Sequence, residues 1–213
     1  MDQADSPRRG ETPRRYVMLD LFIHVRDHLA LSAAALAVAL LIGIPAGLGI
    51  ASVPRLRGIS LGTIYIARVI PSLAVLAIML PLVGIGFAPA LAALALLAIP
   101  PIALNTDLGL TGVPEAVREA ARGIGMSERQ VRRHIDWPLA LPVVFGGIRT
   151  AAVEVIASAT LAAFIGGGGL GEYIVNGIEA NDRAETIEGA AAVGILALGT
   201  QALLGIVERR LSR

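Results

Sequence analysis

VIPSLAVLAIMLPLVGIGFAPALAALALLAIPPIALNT, residues 69–106, carries no charged side chain between Arg68 and Asp107. A helix needs about 20 apolar residues to cross a bilayer. These 38 residues are too many for one ordinary crossing and about enough for two. Gly84-Ile85-Gly86-Phe87-Ala88-Pro89 sits near the middle, where Gly and Pro signal a turn. The stretch therefore predicts two short helices joined by an uncharged hairpin. Working outward, His28–Pro54 is charge-free between Asp27 and Arg55, Pro138–Ile165 carries only Arg149 and Glu154, and Gly189–Val207 is again charge-free. Five spans follow, over roughly residues 29–53, 67–85, 89–106, 140–165 and 188–207. Runs such as Ala33-Ala34-Ala35 and Ala190-Ala191-Ala192 suit helices that must approach closely in lipid.

Composition agrees with an all-α integral membrane protein. Of 213 residues, 55% are hydrophobic, 16% charged and 4% aromatic, and the mean hydropathy is +0.71. A soluble domain carries roughly 25% charge, so this chain is too poor in charge to coat a globule, and a soluble enzyme is disfavoured. Cysteine is absent, which excludes disulfides and thiolate metal sites. His24, His28 and His134 are too scattered for a metal cage, and no metal site is expected. The net charge of +1 gives no electrostatic signature of nucleic acid, and none is expected as a partner.

Arginine placement orients the spans. Arg55, Arg57 and Arg68 flank the first connection; Arg118, Arg122, Arg129, Arg132 and Arg133 lie in the central one; Arg209, Arg210 and Arg213 follow the last span. Five crossings put all three groups on one side, the cytoplasm, with a short tail at residues 209–213. The other side receives the bare hairpin at residues 84–89 and the acidic segment at residues 172–188. The N-terminal tail, residues 1–27, resists this pattern, because it holds Arg8, Arg9, Arg14, Arg15 and Arg26 yet falls outside. Its run Tyr16–Val25 is too short to span and suits an interfacial helix; the rest of the tail is expected to be disordered.

Residues 107–137 form a charged insertion between two apolar spans, and a connection of this length is usually functional or disordered. Its punctuation favours function. Pro114 suits a first helical position, Glu115 and Glu119 lie in the early turns where they complement the helix dipole, and Gly123 and Gly125 end the helix. Ser127 followed by Gln130 matches a capping box for a second short helix, which Pro138 is expected to end. Two short helices around a glycine turn make a rigid docking knob.

Glu119-Ala120-Ala121, then Gly125, Ile135 and Trp137-Pro138, resembles in its spacing the signature loop of ABC importer permeases. Trp137 departs from the pattern, standing where that family usually has Leu. The resemblance implies that Glu119, Ala120, Ala121, Gly125, Ile135 and Pro138 belong to a loop that docks into a cytoplasmic ATPase and passes its closure to the membrane helices. Phe164-Ile165-Gly166-Gly167-Gly168-Gly169-Leu170-Gly171-Glu172-Tyr173-Ile174, with Ala67–Ala74, Gly146–Thr150 and Ser158–Ala162, resembles the subfamily of permeases for glycine betaine, carnitine and choline. The resemblance covers roughly residues 28–208, the expected permease domain. It implies the type I importer arrangement shared with methionine permeases and a bacterial plasma-membrane location. It also implies a second permease subunit, a cytoplasmic ATPase dimer and an extracytoplasmic solute-binding protein. ATP and Mg would sit on the ATPase, since this chain has no G-x-x-x-x-G-K-[ST] motif, and the chain itself needs no cofactor.

Gly166, Gly168 and Gly171 also satisfy G-x-G-x-x-G. That fingerprint needs a strand before it and a soluble βαβ unit around it, whereas these glycines follow a membrane helix. Gly166, Gly167, Gly168, Gly169 and Gly171 fit unwound backbone near an outer gate better, which is tolerated where it lines a cavity. Glu154 lies about 16 residues past Pro138, roughly 24 Å along its helix, and an ionisable group at that depth is a candidate for the translocation path. Asn105 and Ser158 are candidate polar partners. The eight aromatic residues are spread too widely for a quaternary-ammonium cage, which leaves most selectivity to the binding protein. The rivals are an amino-acid (methionine-type) permease, an ion-coupled carrier, for which no internal repeat is seen, and a membrane-embedded hydrolase, for which no nucleophile and base lie at depth.

Overall fold

A computed structural model describes residues 14–211 as a bundle of helices. In chain order these are α1 (Arg14–Ser52), α2 (Pro54–Val69), α3 (Ser72–Val83), α4 (Phe87–Thr111), α5 (Glu115–Gly123), α6 (Glu128–Val131), α7 (Trp137–Ser158), α8 (Leu170–Glu179) and α9 (Arg183–Leu211). A π turn, Arg132–Asp136, joins α6 to α7, and a 3₁₀ segment, Ala159–Ile165, continues α7. Four helical stretches are long and apolar enough to cross a membrane, and five if the bent pair α2–α3 counts as one span.

The buried centre is α4, sandwiched between α1 and α7. Its walls are small: Ala35 and Ala39 of α1, Ala90, Ala93, Ala95 and Ala98 of α4, and Ala151 of α7 are all buried. In lipid, close packing of such faces replaces the hydrophobic drive available in water. Gly47 and Gly147 show how close the backbones come. A β-carbon on Gly47 would lie 2.6 Å from the Ala103 carbonyl oxygen, and one on Gly147 would lie 2.7 Å from that of Pro101. Both distances are far inside van der Waals contact, so only glycine allows α1 and α7 to sit on α4 at these points.

Three elements differ from the expectation drawn from charge spacing. The separate interfacial helix over Tyr16–Val25 is instead the beginning of α1, which runs 39 residues without a break across the boundary at residue 27. No Gly or Pro interrupts residues 14–42, so nothing stops the helix; at about 1.5 Å per residue it is nearly twice the hydrocarbon thickness. Arg8, Arg9 and the part of the tail expected to be disordered lie outside the described residues, as does Arg213. At the other terminus α9 likewise runs on to Leu211, so the helix continues past residue 208.

The second difference is the span expected at residues 67–85. It is a helix pair bent by 93°, with the break at Ile70-Pro71. Pro71 removes a donor and forces Ile70 into extended backbone, as its ψ of 123° shows. The incoming helix α2 contains Arg55, Arg57 and Arg68, so counting charge-free residues missed it, and Arg68 belongs to the bend rather than to an aqueous flank.

The third is Pro138, which does not end a helix. It sits in the first turn of α7, where a missing N–H costs nothing. The preceding π turn, with the Trp137 N–H donating to the Arg132 carbonyl, carries the chain past the proline ring.

Candidate functional site

At one end of the bundle, residues 112–136 form a hook. Pro114 is the N-cap of α5 rather than its first helical residue, with extended backbone. The expected capping box is present: Ser127 Oγ accepts from the Gln130 N–H, and the Ser127 N–H donates to Gln130 Oε1 at 2.8 Å. Gly125, at φ 90°, reverses the chain between the two helices, a conformation that β-carbons disfavour.

Arginines lock the hook internally and onto the bundle. Arg118 donates to Asp136 at 2.8 Å, to Glu115 at 3.2 Å and to the Leu110 carbonyl in the last turn of α4 at 2.6 Å. Arg122 donates to Glu115 and to Glu128, both at 2.7 Å. The Arg122 guanidinium, helped at Glu115 by Arg118, holds both carboxyls below the usual carboxylate range. Under the hook, Trp137 packs against Leu110, Ala140 and Val144 with Leu48 and Ala51 of α1, so the departure from Leu is absorbed as bulk at the base.

The signature residues divide into two sets. Glu119, Ala120 and Pro138 are exposed, while Ala121 is buried beneath α5 and Ile135 is half-buried in the π turn. Glu119 makes no hydrogen bond or ion pair with the described residues, unlike its neighbours Glu115 and Arg122. Ile124, just past the end of α5, is 82% exposed. The hook thus braces itself with Glu115, Arg118, Arg122, Glu128 and Asp136, and presents outward a free carboxylate, an apolar tip and the exposed Arg129, Arg132 and Arg133.

Just inside the hook, Asp107 is fully buried and receives Arg57 of α2 in a bidentate bond at 3.0 and 2.9 Å. Arg57 also donates to the Thr111 hydroxyl at 2.9 Å. Neither Arg57 nor Asp107 was singled out in the sequence, because they lie 50 positions apart. Asp107 marked only the end of an apolar run.

About two turns of α4 further in, a cavity of about 450 Å³ opens where α2 and α3 bend. Glu154 and Ser158 of α7, the candidate path residues, line it together with Arg68, Thr63 and Ser72. The remaining walls are apolar, from Val69, Ile70 and Val75 across to Leu96, Leu97 and Ile99. Pro100 and Pro101 leave the carbonyls of Leu96 and Leu97 without their usual helical donors. Asn105 is not part of this group. It lies at the α4–α7 contact against Gly147 and donates to the Pro101 carbonyl at 2.8 Å.

The glycine-rich segment lies at the opposite end of the bundle from the hook. Gly86 of the α3–α4 hairpin donates to the Ile165 carbonyl at 2.7 Å. Gly166, Gly168 and Gly169 all have φ between 71° and 78°. A side chain on Gly167 would strike Ala90 and Ala162; on Gly169, the His28 backbone of α1; and on Gly171, the Thr160 carbonyl. These glycines therefore form a tightly packed seam between α1, α4 and the 3₁₀ segment.

Similarity to known proteins agrees with this architecture. The family described as "Binding-protein-dependent transport system inner membrane component" matches residues 30–213. The choline transport system permease protein OpuBB of Bacillus subtilis is 38% identical over 91% of this chain and 89% of its own. The glycine betaine/carnitine/choline transport system permease protein OpuCB of the same organism is 37% identical over the same shares. The osmoprotectant import permease protein OsmW of Salmonella typhimurium is 42% identical over 81% of this chain and 82% of its own. Among solved structures, the inward-facing methionine ABC transporter MetNI superposes with a TM-score of 0.81 at 22% identity, over 95% of this chain and 100% of that one. The helical bundle as a whole is thus that of a shared importer fold, and the chain is a member of the family of inner-membrane components of binding-protein-dependent transport systems.

Proposed function

We propose that this chain is the membrane-embedded subunit of an ATP-driven importer for compatible solutes of the glycine betaine, carnitine and choline class, acting in the bacterial plasma membrane. It would work with a second permease subunit, a cytoplasmic ATPase dimer carrying ATP and Mg, and an extracytoplasmic solute-binding protein. The observation that carries this function is the hook, internally braced by Arg118 and Arg122 and offering Glu119 and Ile124 to a partner. The substrate class is supported by the relatives at 37–42% identity, whose names are those of choline, carnitine, glycine betaine and osmoprotectant permeases. The methionine transporter is similar in fold at 22% identity.

The geometry suggests how closure of an ATPase would reach the membrane. A pull on α5 acts through Arg118 on both the end of α4 and the start of α7. Thr111 and Asp107 pass it through Arg57 to α2, whose far end is the bend beside the cavity. Two states that nucleotide and binding protein stabilise differently are what alternating access needs. The test is reconstitution of the chain in proteoliposomes with its cognate ATPase and solute-binding protein. ATP-dependent uptake of labelled glycine betaine, carnitine or choline is expected. Uptake without an ATPase, or uptake of methionine in place of these solutes, would overturn the function.

A further inference from the structure

The cavity at the α2–α3 bend is lined by five polar side chains; the Thr63 hydroxyl is tied to the Ile59 carbonyl at 3.1 Å, which leaves four, Arg68, Ser72, Glu154 and Ser158. None of the four forms a hydrogen bond or ion pair with the described residues. Arg68 is near enough to act electrostatically on Glu154 across the space, yet the two do not close on each other. Charges at membrane depth ordinarily pair or serve a function. Here one of each sign faces a common cavity, and the cavity is within the size range of small-molecule sites, roughly 300–1,000 Å³.

We infer that this cavity is a subsite for zwitterionic solutes, in which Arg68 takes the carboxylate and Glu154 faces the quaternary ammonium. Arg presents paired donors that match a carboxylate, and the Ser72 hydroxyl at the start of α3 adds another. A quaternary ammonium has no N–H to donate, so what it needs is a negative charge beside apolar walls for its methyl groups. Glu154 supplies the charge. Val69, Val75, Leu96 and Leu97 supply the walls, and the carbonyls of Leu96 and Leu97, which lack their usual helical donors, add negative potential. The fit is to a molecule carrying both charges a few bonds apart, such as glycine betaine. Choline, which has only the cation, would use Glu154 and leave Arg68 idle.

This inference rests on the proposed import function, and one experiment separates the two. The complete importer, with ATPase and binding protein, is reconstituted with wild-type chain, Arg68→Gln, Arg68→Lys or Glu154→Gln. Uptake of labelled glycine betaine and of choline is followed alongside binding-protein-stimulated ATP hydrolysis. Glycine betaine uptake should fall more than about tenfold in Arg68→Gln and Glu154→Gln, with stimulated hydrolysis held within about twofold and partial recovery in Arg68→Lys. Choline uptake should fall in Glu154→Gln and be spared in Arg68→Gln. If the wild-type set transports neither solute, the function itself fails. If it transports glycine betaine and either variant does so equally well, only the subsite fails. Parallel loss of hydrolysis and uptake, or equal loss of both solutes in Arg68→Gln, would make these charges structural and also overturn the subsite.

Discussion

Glu119 and Glu115 lie one turn apart on α5 and have opposite fates. Glu115 is tied to Arg118 and Arg122, whereas Glu119 has no partner among the described residues. Reversing a charge that meets a partner at an interface costs about 2–5 kcal/mol, enough for at least roughly tenfold in coupling. Glu119→Lys is therefore expected to abolish solute uptake while the protein still inserts and purifies normally. Wild-type uptake in proteoliposomes would contradict the docking role. Gly169 is a second residue where the outcome is set by geometry. Its φ of 78° and ψ of −166° belong to a region essentially reserved for glycine, and the His28 backbone lies 3.0 Å from where a β-carbon would sit. Gly169→Ala should cost about 1–3 kcal/mol, read as a lower thermal unfolding midpoint in detergent. Gly168→Ala, with its nearest neighbour 3.8 Å from the added carbon, should lose less.

At the scale of elements, much of the fold was legible in the charges. The runs at residues 28–54 and 189–207 each became one long helix, and Gly84 to Pro89 became the α3–α4 hairpin. The capping box at Ser127 was legible because its partners lie three residues apart. The 93° bend was hidden for a physical reason: α2 carries Arg57, paired with Asp107 of α4, and Arg68, which lines the cavity, so hydropathy alone treats it as a flank. The same holds for the candidate site. Glu154 and Ser158 stood out as polar groups at depth, but Arg68, which lines the same cavity, lies 86 positions from Glu154 in the chain, a juxtaposition that only packing reveals. Asp107 shows what that packing holds. Removing one member of a buried pair costs about 3–5 kcal/mol, and Arg57 is 36% exposed, so Asp107→Ala should fall at the lower end of that range. The double variant Arg57→Met with Asp107→Leu should recover much of the loss, and a thermal-stability cycle in detergent measures it. The hook responds to acid with a definite sign. Glu115 and Glu128 have folded-state pKa values below their unfolded ones, so their contribution is fully present above about pH 4.5 and is lost as pH falls through the lowered values. Hydrogen-exchange protection of residues 118–125, corrected for intrinsic rates, should hold steady from neutral pH and drop only in stronger acid. High salt should weaken it at any pH, because these pairs are exposed.

Taken whole, the molecule has two unlike ends joined by a core of small residues. The hook, Trp137 and the Arg57–Asp107 pair share one end; the hairpin at Gly84–Gly86, the glycine seam and His28 share the other, where the His28 ring meets the Ile156 carbonyl at 3.0 Å. Because α1 enters at the hairpin end, its arginine-bearing start must lie opposite the hook, whatever its charge favours. The arginine count alone left that conflict open, and the continuous helix resolves it by packing: α1 is fastened to α4 through Gly43 and Gly47 against Ile102 and Thr106, which fixes its direction. The absence of cysteine makes sidedness directly measurable, since single cysteines can be placed with no background to remove. Arg129→Cys on α6 and Glu179→Cys at the end of α8 are both exposed positions at opposite ends. A membrane-impermeant maleimide should label Glu179→Cys in intact spheroplasts and Arg129→Cys only after the membrane is opened. The reverse pattern would put the hook outside, out of reach of any cytoplasmic ATPase. Labelling of both from outside would mean that the bundle does not span the membrane as a unit.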